Sequence, residues 1–214
     1  MNYLQLVNGV LMRMREDTVS TVVSSDPVVA IVAAHVNDAK RIVEDAHLWN
    51  AERYEWTISS VVGQDTYSLT DSGESLHIEY FLGDDGSEPA ELRLRDMKRK
   101  KSQGSANGPC QYFSPNGLDS NQDVKVELYP ASTAAVTYTV GGHRRLPDLS
   151  ADDDKLIIPS KPVLYLALAM SARERGEVGG QTAAEIFTLA DTYLSDAIAI
   201  DAGLNYLDNI WMTV

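Results

Sequence analysis

The chain of 214 residues has a single cysteine, Cys110, so no intramolecular disulfide can form and a disulfide-stapled secreted scaffold is excluded. A reducing compartment is the simplest origin. Long hydrophobic runs are missing as well: the longest apolar-rich stretch, Val163 to Met170, falls far short of the ~20 residues a bilayer span requires, so no membrane contact is expected. Met1-Asn2-Tyr3-Leu4 lacks a basic segment followed by an unbroken apolar run, and no signal peptide is expected. Positive charge is scarce, with 18 basic against 31 acidic residues and a net charge of −13. That balance argues against a nucleic-acid binder working by phosphate neutralisation. Motifs for nucleophilic catalysis and phosphate binding are also lacking: there is no G-x-S-x-G elbow, and Gly141-Gly142 and Gly179-Gly180 are isolated pairs that read as bends.

What the chain does contain is a definite order. The spacing of Leu4, Val7, Leu11 and Met14 predicts an amphipathic helix over about Asn2–Arg15. Asp26-Pro27 then starts a second helix, with Asp26 as N-cap and Val32, Val36, Ala39, Val43 and Ala46 on one face up to Leu48-Trp49. Helical signals return only after Asp152. Pro159-Ser160-Lys161-Pro162 opens a segment that is apolar nearly all round to about Arg175, which suits the centre of a bundle, and Gly176 fits its stop. Thr182 with Glu185 forms a capping box for a last helix striped by Ile186, Ala190, Tyr193, Ala197 and Ile200, ended by Gly203.

Between Tyr54 and Gly142 the period falls to two. Tyr54, Trp56 and Ile58 alternate with polar residues. Gly63-Gln64 turns the chain toward Tyr67 and Leu69, and Asp71-Ser72-Gly73 breaks that strand. Leu76–Leu82 follows, with Asp84-Asp85-Gly86 as a hairpin turn to Ala90–Leu94. A basic run, read as a short helical turn plus loop, precedes Tyr112-Phe113, a Pro115-Asn116-Gly117 turn, Val124-Val126-Leu128 and Val136-Tyr138-Val140. The fold class expected is therefore α+β: a helical bundle over 1–53 plus 151–203, interrupted by an inserted antiparallel β-sandwich or barrel-like domain over 54–150, with a tail at 204–214.

Candidate chemistry is sparse. Glu44 and His47 lie three apart on the second helix, the half-site of a bundle di-metal centre, and His35 and Asp38 share that helix. Neither closing helix contributes a histidine, so no metal and no cofactor are expected. Cys110 has no neighbouring base in sequence, and His77 and His143 fall in the strand-rich region, where a packed or solvated role is commoner. Acidic pairs such as Asp84-Asp85, Glu52 with Glu55, and the Asp152-Asp153-Asp154 run suit acid–base work only if they line a groove; on turns they are solvated. No catalytic residue is assigned.

Surfaces remain. Basic charge is clumped at Arg93, Arg95, Lys98, Arg99, Lys100 and Lys101, which reads either as a solvated face or as a docking patch. Leu204 to Val214 collects Tyr206, Leu207, Ile210, Trp211 and Met212 in a strip too short to fold alone, which reads equally as an interaction site, with Trp211 as its natural anchor, or as a segment folded back onto the bundle.

The joint order of these landmarks resembles the head-to-tail adaptors, also called connectors or tail tubular proteins, of short-tailed phages. The resemblance rests on Tyr3-Leu4-Gln5-Leu6-Val7-Asn8, Val36-Asn37-Asp38-Ala39 to Trp49, Tyr54 with Trp56-Thr57, and Gly63-Gln64 with Tyr67-Ser68-Leu69. It continues through Gly108-Pro109, Tyr112-Phe113, Leu128-Tyr129-Pro130 and Ile157-Ile158-Pro159, and so covers nearly the whole chain. Tyr129-Pro130 reads as the end of an edge strand.

The resemblance implies a structural virion protein of the neck, with no enzymatic activity, made in the host cytoplasm. It implies a twelve-fold ring beneath the portal protein that extends the channel for double-stranded DNA, without sequence-specific binding, and carries the tail nozzle or next tail protein. Tyr206, Leu207, Ile210, Trp211 and Met212 are then the portal-binding residues, and Arg95, Lys98, Arg99, Lys100 and Lys101 the contact to a neighbouring subunit or tail protein. An acidic channel wall would repel the DNA backbone and let it slide. The alternatives are a stopper or tail-completion ring protein, a tail-associated cell-wall hydrolase, and a free-standing binding module.

Overall fold

Asn2 opens the first helix with a reciprocal cap: its side chain accepts from the Gln5 N–H at 2.9 Å, and Gln5 Oε1 accepts from the Asn2 N–H at 3.0 Å. The computed structural model describes residues 1–73, 76–104, 108–176 and 181–205, without the side chains of residues 181, 182 and 205. Among them are five α-helices and two β-sheets, a mixed α+β architecture. They form two compact units: Met1–Ala51 with Pro147–Val214, and Glu52–Leu146.

In the first unit, helix α1 (Tyr3–Arg13) buries Tyr3, Leu6, Val7, Val10 and Leu11. Its inner face is thus rotated from the stripe expected: Leu4 and Met14 flank the core at half burial. Helix α2 (Pro27–Asp45) starts as Asp26-Pro27 predicts, with the Asp26 carboxylate accepting from the Val28 N–H at 2.9 Å. Val32, Val36, Ala39 and Val43 are buried along it, whereas Ala46 caps it in the open. Helix α4 (Ser160–Glu174) buries nine residues and packs against α1, α2 and the last helix, α5 (Gln181–Asn205), so it occupies the central place its composition requires. Gly176 follows α4 at φ +59°, the left-handed conformation expected of a C-terminal stop.

The last helix departs from expectation at its end. Gly203 lies inside α5, because one glycine costs a helix only about 1 kcal/mol. Thr182, half of the expected capping box, has its side chain outside the described residues, and the pair Gly179-Gly180 lies outside them altogether. The segment returning to this unit is stitched to both opening helices. Tyr3 N–H donates to the Asp154 carbonyl at 2.9 Å and Leu156 N–H to that of Met1 at 3.0 Å. The Asn37 side chain donates to the Leu149 carbonyl and accepts from the Leu149 N–H, at 3.0 and 2.9 Å.

The second unit holds strands β1 (Arg53–Ser59), β2 (Thr66–Ser68), β3 (Leu76–Gly83), β4 (Ala90–Glu91), β5 (Tyr112–Leu118), β6 (Val124–Tyr129) and β7 (Thr137–Arg144), with helix α3 (Leu94–Ser102) between β4 and β5. They form two sheets, ordered β1-β7-β3 and β2-β6-β5-β4, and residues of both build one core around Trp56, Phe81, Phe113, Val126, Leu128 and Tyr138. All pairings are antiparallel except β4 with β5, which is parallel.

Several turns differ from the local reading. Asp84-Asp85-Gly86 does turn the chain but makes no hairpin, because β4 leaves for the other sheet. Gly63-Gln64 likewise carries the chain between sheets, and the Tyr67 hydroxyl holds that turn from beneath through the Val61 N–H at 2.9 Å and the Gln64 carbonyl at 3.0 Å. Pro115-Asn116-Gly117 is an irregularity within β5, where the register to β6 shifts. Tyr129-Pro130 ends β6, an inner strand of its sheet. Gly141-Gly142 is no bend. Both lie in the middle of β7, where a Cβ on Gly141 would fall in the Tyr80 ring and one on Gly142 would overlap the His77 carbonyl.

Candidate functional site

The basic run forms α3, a nine-residue helix with acidic Asp96 in its first turn and basic Arg99, Lys100 and Lys101 in its last, an order that complements the helix dipole. Met97 anchors it and is fully buried. On its inner side Lys98 donates to Glu127 Oε1 at 2.5 Å, and Lys101 donates to Glu127 Oε2 at 3.0 Å and to Asp65 Oδ2 at 2.7 Å. Asn116 Nδ2 donates to the same Glu127 carboxylate. Lys100 Nζ lies 4.5 Å from the centre of the Tyr112 ring, a cation–π contact.

Burial works to raise the Glu127 carboxyl, but the Lys98 and Lys101 ammoniums outweigh it and hold it below the usual carboxylate range. Hydrogen bonding from Lys101 depresses Asp65 in the same way. Burial alone would lower Lys101, and its two carboxylate partners reverse that and raise it. Four of the five cations expected to contact a neighbour therefore have partners in their own chain, three of them on the sheet side and Arg99 within the helix. Arg95 is exposed, and Arg99, also exposed, has Asp96 at 3.5 Å. Glu127 was readable in the sequence: if Val124, Val126 and Leu128 face the core, Glu127 faces the other way, toward α3.

The other surface is apolar. Pro159–Pro162 and the C-terminal half of α5 enclose a groove of about 440 Å³. Ile200 and Leu204 line it and are 72% and 64% exposed. Asp201, from the same turn of helix, accepts from the Asn50 N–H and Nδ2, both at 3.1 Å, and lies 3.1 Å from His47 Nε2, tying the end of α5 to the segment after α2. Tyr206, Leu207, Ile210, Trp211 and Met212 lie outside the described residues.

The groups considered for catalysis or metal binding are occupied otherwise. Glu44 is buried in an ion pair with Lys40 at 2.7 Å, and His47 has turned to Asp201. Among the described residues no three potential ligands gather in a metal-binding group. Cys110 is buried, its thiol donates to the Tyr112 carbonyl at 3.4 Å, and burial pushes its pKa up to about 11. Glu52 is buried, while Glu55 stays exposed and accepts from the Tyr80 hydroxyl. The Asp154 carboxylate is held below its usual range by the Ser150 and Ala151 N–H groups, as a loop cap.

One constellation escaped the sequence. His35 Nδ1 lies 2.9 Å from Ser171 Oγ and Nε2 lies 3.0 Å from Glu174, which resembles a catalytic triad. Ser171, however, is buried in the last turn of α4 with its hydroxyl donating to the Ala167 carbonyl at 2.9 Å, so the trio fastens α2 to α4. His77 and His143 are cross-strand neighbours in β3 and β7.

Among the described residues, the surface features that stand out are a basic helix held down by its own sheet and an apolar groove beside the end of α5. The class is a phage adaptor, a structural component of the virion. More narrowly, the chain belongs to the SU10 adaptor protein family, whose family model matches residues 1–207. Comparison with curated proteins gives no match. Membership implies contact with portal and tail proteins. Among the described residues no helix is long and apolar enough to cross a membrane.

Proposed function

We propose that the protein is a head-to-tail adaptor that acts as a ring. Twelve copies bind beneath the portal, extend the channel for double-stranded DNA and present the surface to which the tail nozzle attaches. The observation that supports this reading is the family match, which runs along nearly the whole chain rather than over one module. The helical unit is the ring body, and the β-rich unit, inserted between its two halves in sequence, faces the tail. The 204–214 tail reaches the portal through Tyr206, Leu207, Ile210, Trp211 and Met212.

The intrachain ties of α3 refine the second contact. With Lys98, Lys100 and Lys101 engaged by Glu127, Asp65 and Tyr112, the face offered to a neighbouring subunit or tail protein centres on Arg95 and Arg99. Each copy brings a net charge of −13, so an arginine pair that meets a neighbour's carboxylates offsets some of the repulsion of closing a ring. Sedimentation of the chain alone and with portal protein, followed by electron microscopy of the complex, tests the reading. A portal-bound collar with twelve-fold symmetry is the outcome expected; a chain that never sediments with portal overturns it.

A further inference from the structure

We infer that the groove between Pro159–Pro162 and the C-terminal half of α5 is a docking site for the chain's own residues 206–214. Four observations carry this. First, the groove is apolar where it matters: Pro159, Pro162, Tyr193, Ala197, Ile200 and Leu204 line it. Ile200 and Leu204, 72% and 64% exposed, are left in water by a helix that packs against α4 on its other side.

Second, the complementary segment is the next one in sequence. Residues 206–214 hold Tyr206, Leu207, Ile210, Trp211, Met212 and Val214 against a single charge, Asp208. Third, the distances suit it. Leu204 already lines the groove, and Tyr193 lies eleven residues back along α5, roughly 16 Å at the helical rise. Nine residues span up to about 30 Å when extended, enough to turn and run back along the whole groove. A segment tethered beside its site sees it at roughly millimolar effective concentration, so its own chain outcompetes a second copy in dilute solution.

Fourth, the family match ends at residue 207, inside the tail, while every residue lining the groove lies within it. The groove thus lies wholly within the matched scaffold, and the segment that follows it runs on past the end of the match. The inference holds whether or not the portal is where the segment goes later.

The chain itself carries the probe. Its three tryptophans are Trp49, Trp56 and Trp211, and the first two are buried at 0% and 5% exposure. Any indole fluorescence readily quenched by acrylamide in the folded full-length chain therefore comes from Trp211. The wild-type chain at micromolar concentration should show no readily quenched fraction. Ile200→Glu and, separately, Leu204→Glu should each release one, which Trp211→Phe then removes. Both substitutions fall on exposed positions, and unchanged far-ultraviolet circular dichroism will confirm the fold. A quenchable Trp211 in the wild-type chain, or no release in either variant, overturns the inference. Shielding lost on dilution in step with a dimer-to-monomer transition in sedimentation also overturns it, because the occupant would then be a second copy.

Discussion

Tyr80 on β3 donates its hydroxyl to the Glu55 carboxylate on β1, reaching across Gly141 of the strand between them. The register shift at Glu79 brings Tyr80 opposite Gly141, and only a residue without a side chain leaves room for the ring to lie flat over β7. The hydrogen bond to Glu55 also raises the Tyr80 phenol above its ordinary range.

Two neighbouring glycines should consequently respond differently to the same methyl group. Gly141→Ala meets the far end of a side chain that can swing into solvent and should cost about 1 kcal/mol. Gly142→Ala meets the His77 backbone carbonyl, which cannot move without its strand, and should cost about 3 kcal/mol. Urea unfolding midpoints of the two variants will give the order.

Removing the carboxylate beneath α3 leaves two ammoniums without their shared partner. Glu127→Gln should destabilise the β-rich unit by about 1–2 kcal/mol, less than a fully buried pair would lose because Lys98 is half solvated. Equilibrium urea denaturation measures it.

The same contacts predict acid sensitivity. Asp65 and Glu127 have folded pKa values below their unfolded ones, so their stabilisation is fully present above the ordinary carboxylate range and disappears as pH falls through the depressed folded values. Lys101, raised in the fold, contributes below its ordinary value of 10.5 and loses that contribution as pH climbs past it. Melting temperature followed from pH 7 down to pH 2 should fall through that acid window, and more shallowly in Glu127→Gln.

Met97 is the apolar anchor of a helix too short to persist by itself. Met97→Ala should cost about 2–4 kcal/mol and raise amide exchange along 94–102 selectively. Hydrogen exchange read by mass spectrometry checks the location.

Cys110 should resist iodoacetamide at neutral pH until the β-rich unit opens, since its thiol is buried and titrates near 11. Labelling rates should therefore track unfolding as urea is added. Fast labelling in buffer would mean that the thiol is exposed.

Local chemistry was the legible part of the fold. Asp26-Pro27 announces a helix start because a carboxylate and a fixed φ satisfy orphan N–H groups wherever they stand. The apolar girth of 163–170 foretells a central α4 for a similar reason: nothing on it tolerates water. Pairing across distance was illegible. Nothing around Gly63 or Asp84 tells whether the next strand joins the same sheet or the opposite one, and Gly141-Gly142 reads as a bend until Tyr80 is seen lying on it.

The basic helix is an intermediate case. Leu94 and Met97 are spaced three apart, and the charge order suits the dipole, so α3 was present in the pattern but masked by its density of lysine and arginine. Its carboxylate partners lie in β6 and in the segment before β2, where only alternation along a strand hints at Glu127 and nothing local hints at Asp65.

The helical unit is sewn from both sides of the β-rich stretch: Tyr3 and Met1 bond to Asp154 and Leu156, and α1 and α2 lean on α4. On the ribosome, Glu52–Leu146 can finish its core as one uninterrupted piece, while the valine and leucine faces of α1 and α2 wait for a helix still to be translated. Nascent chains stalled before residue 160 should thus carry a finished β module and an unfinished, chaperone-attracting pair of helices.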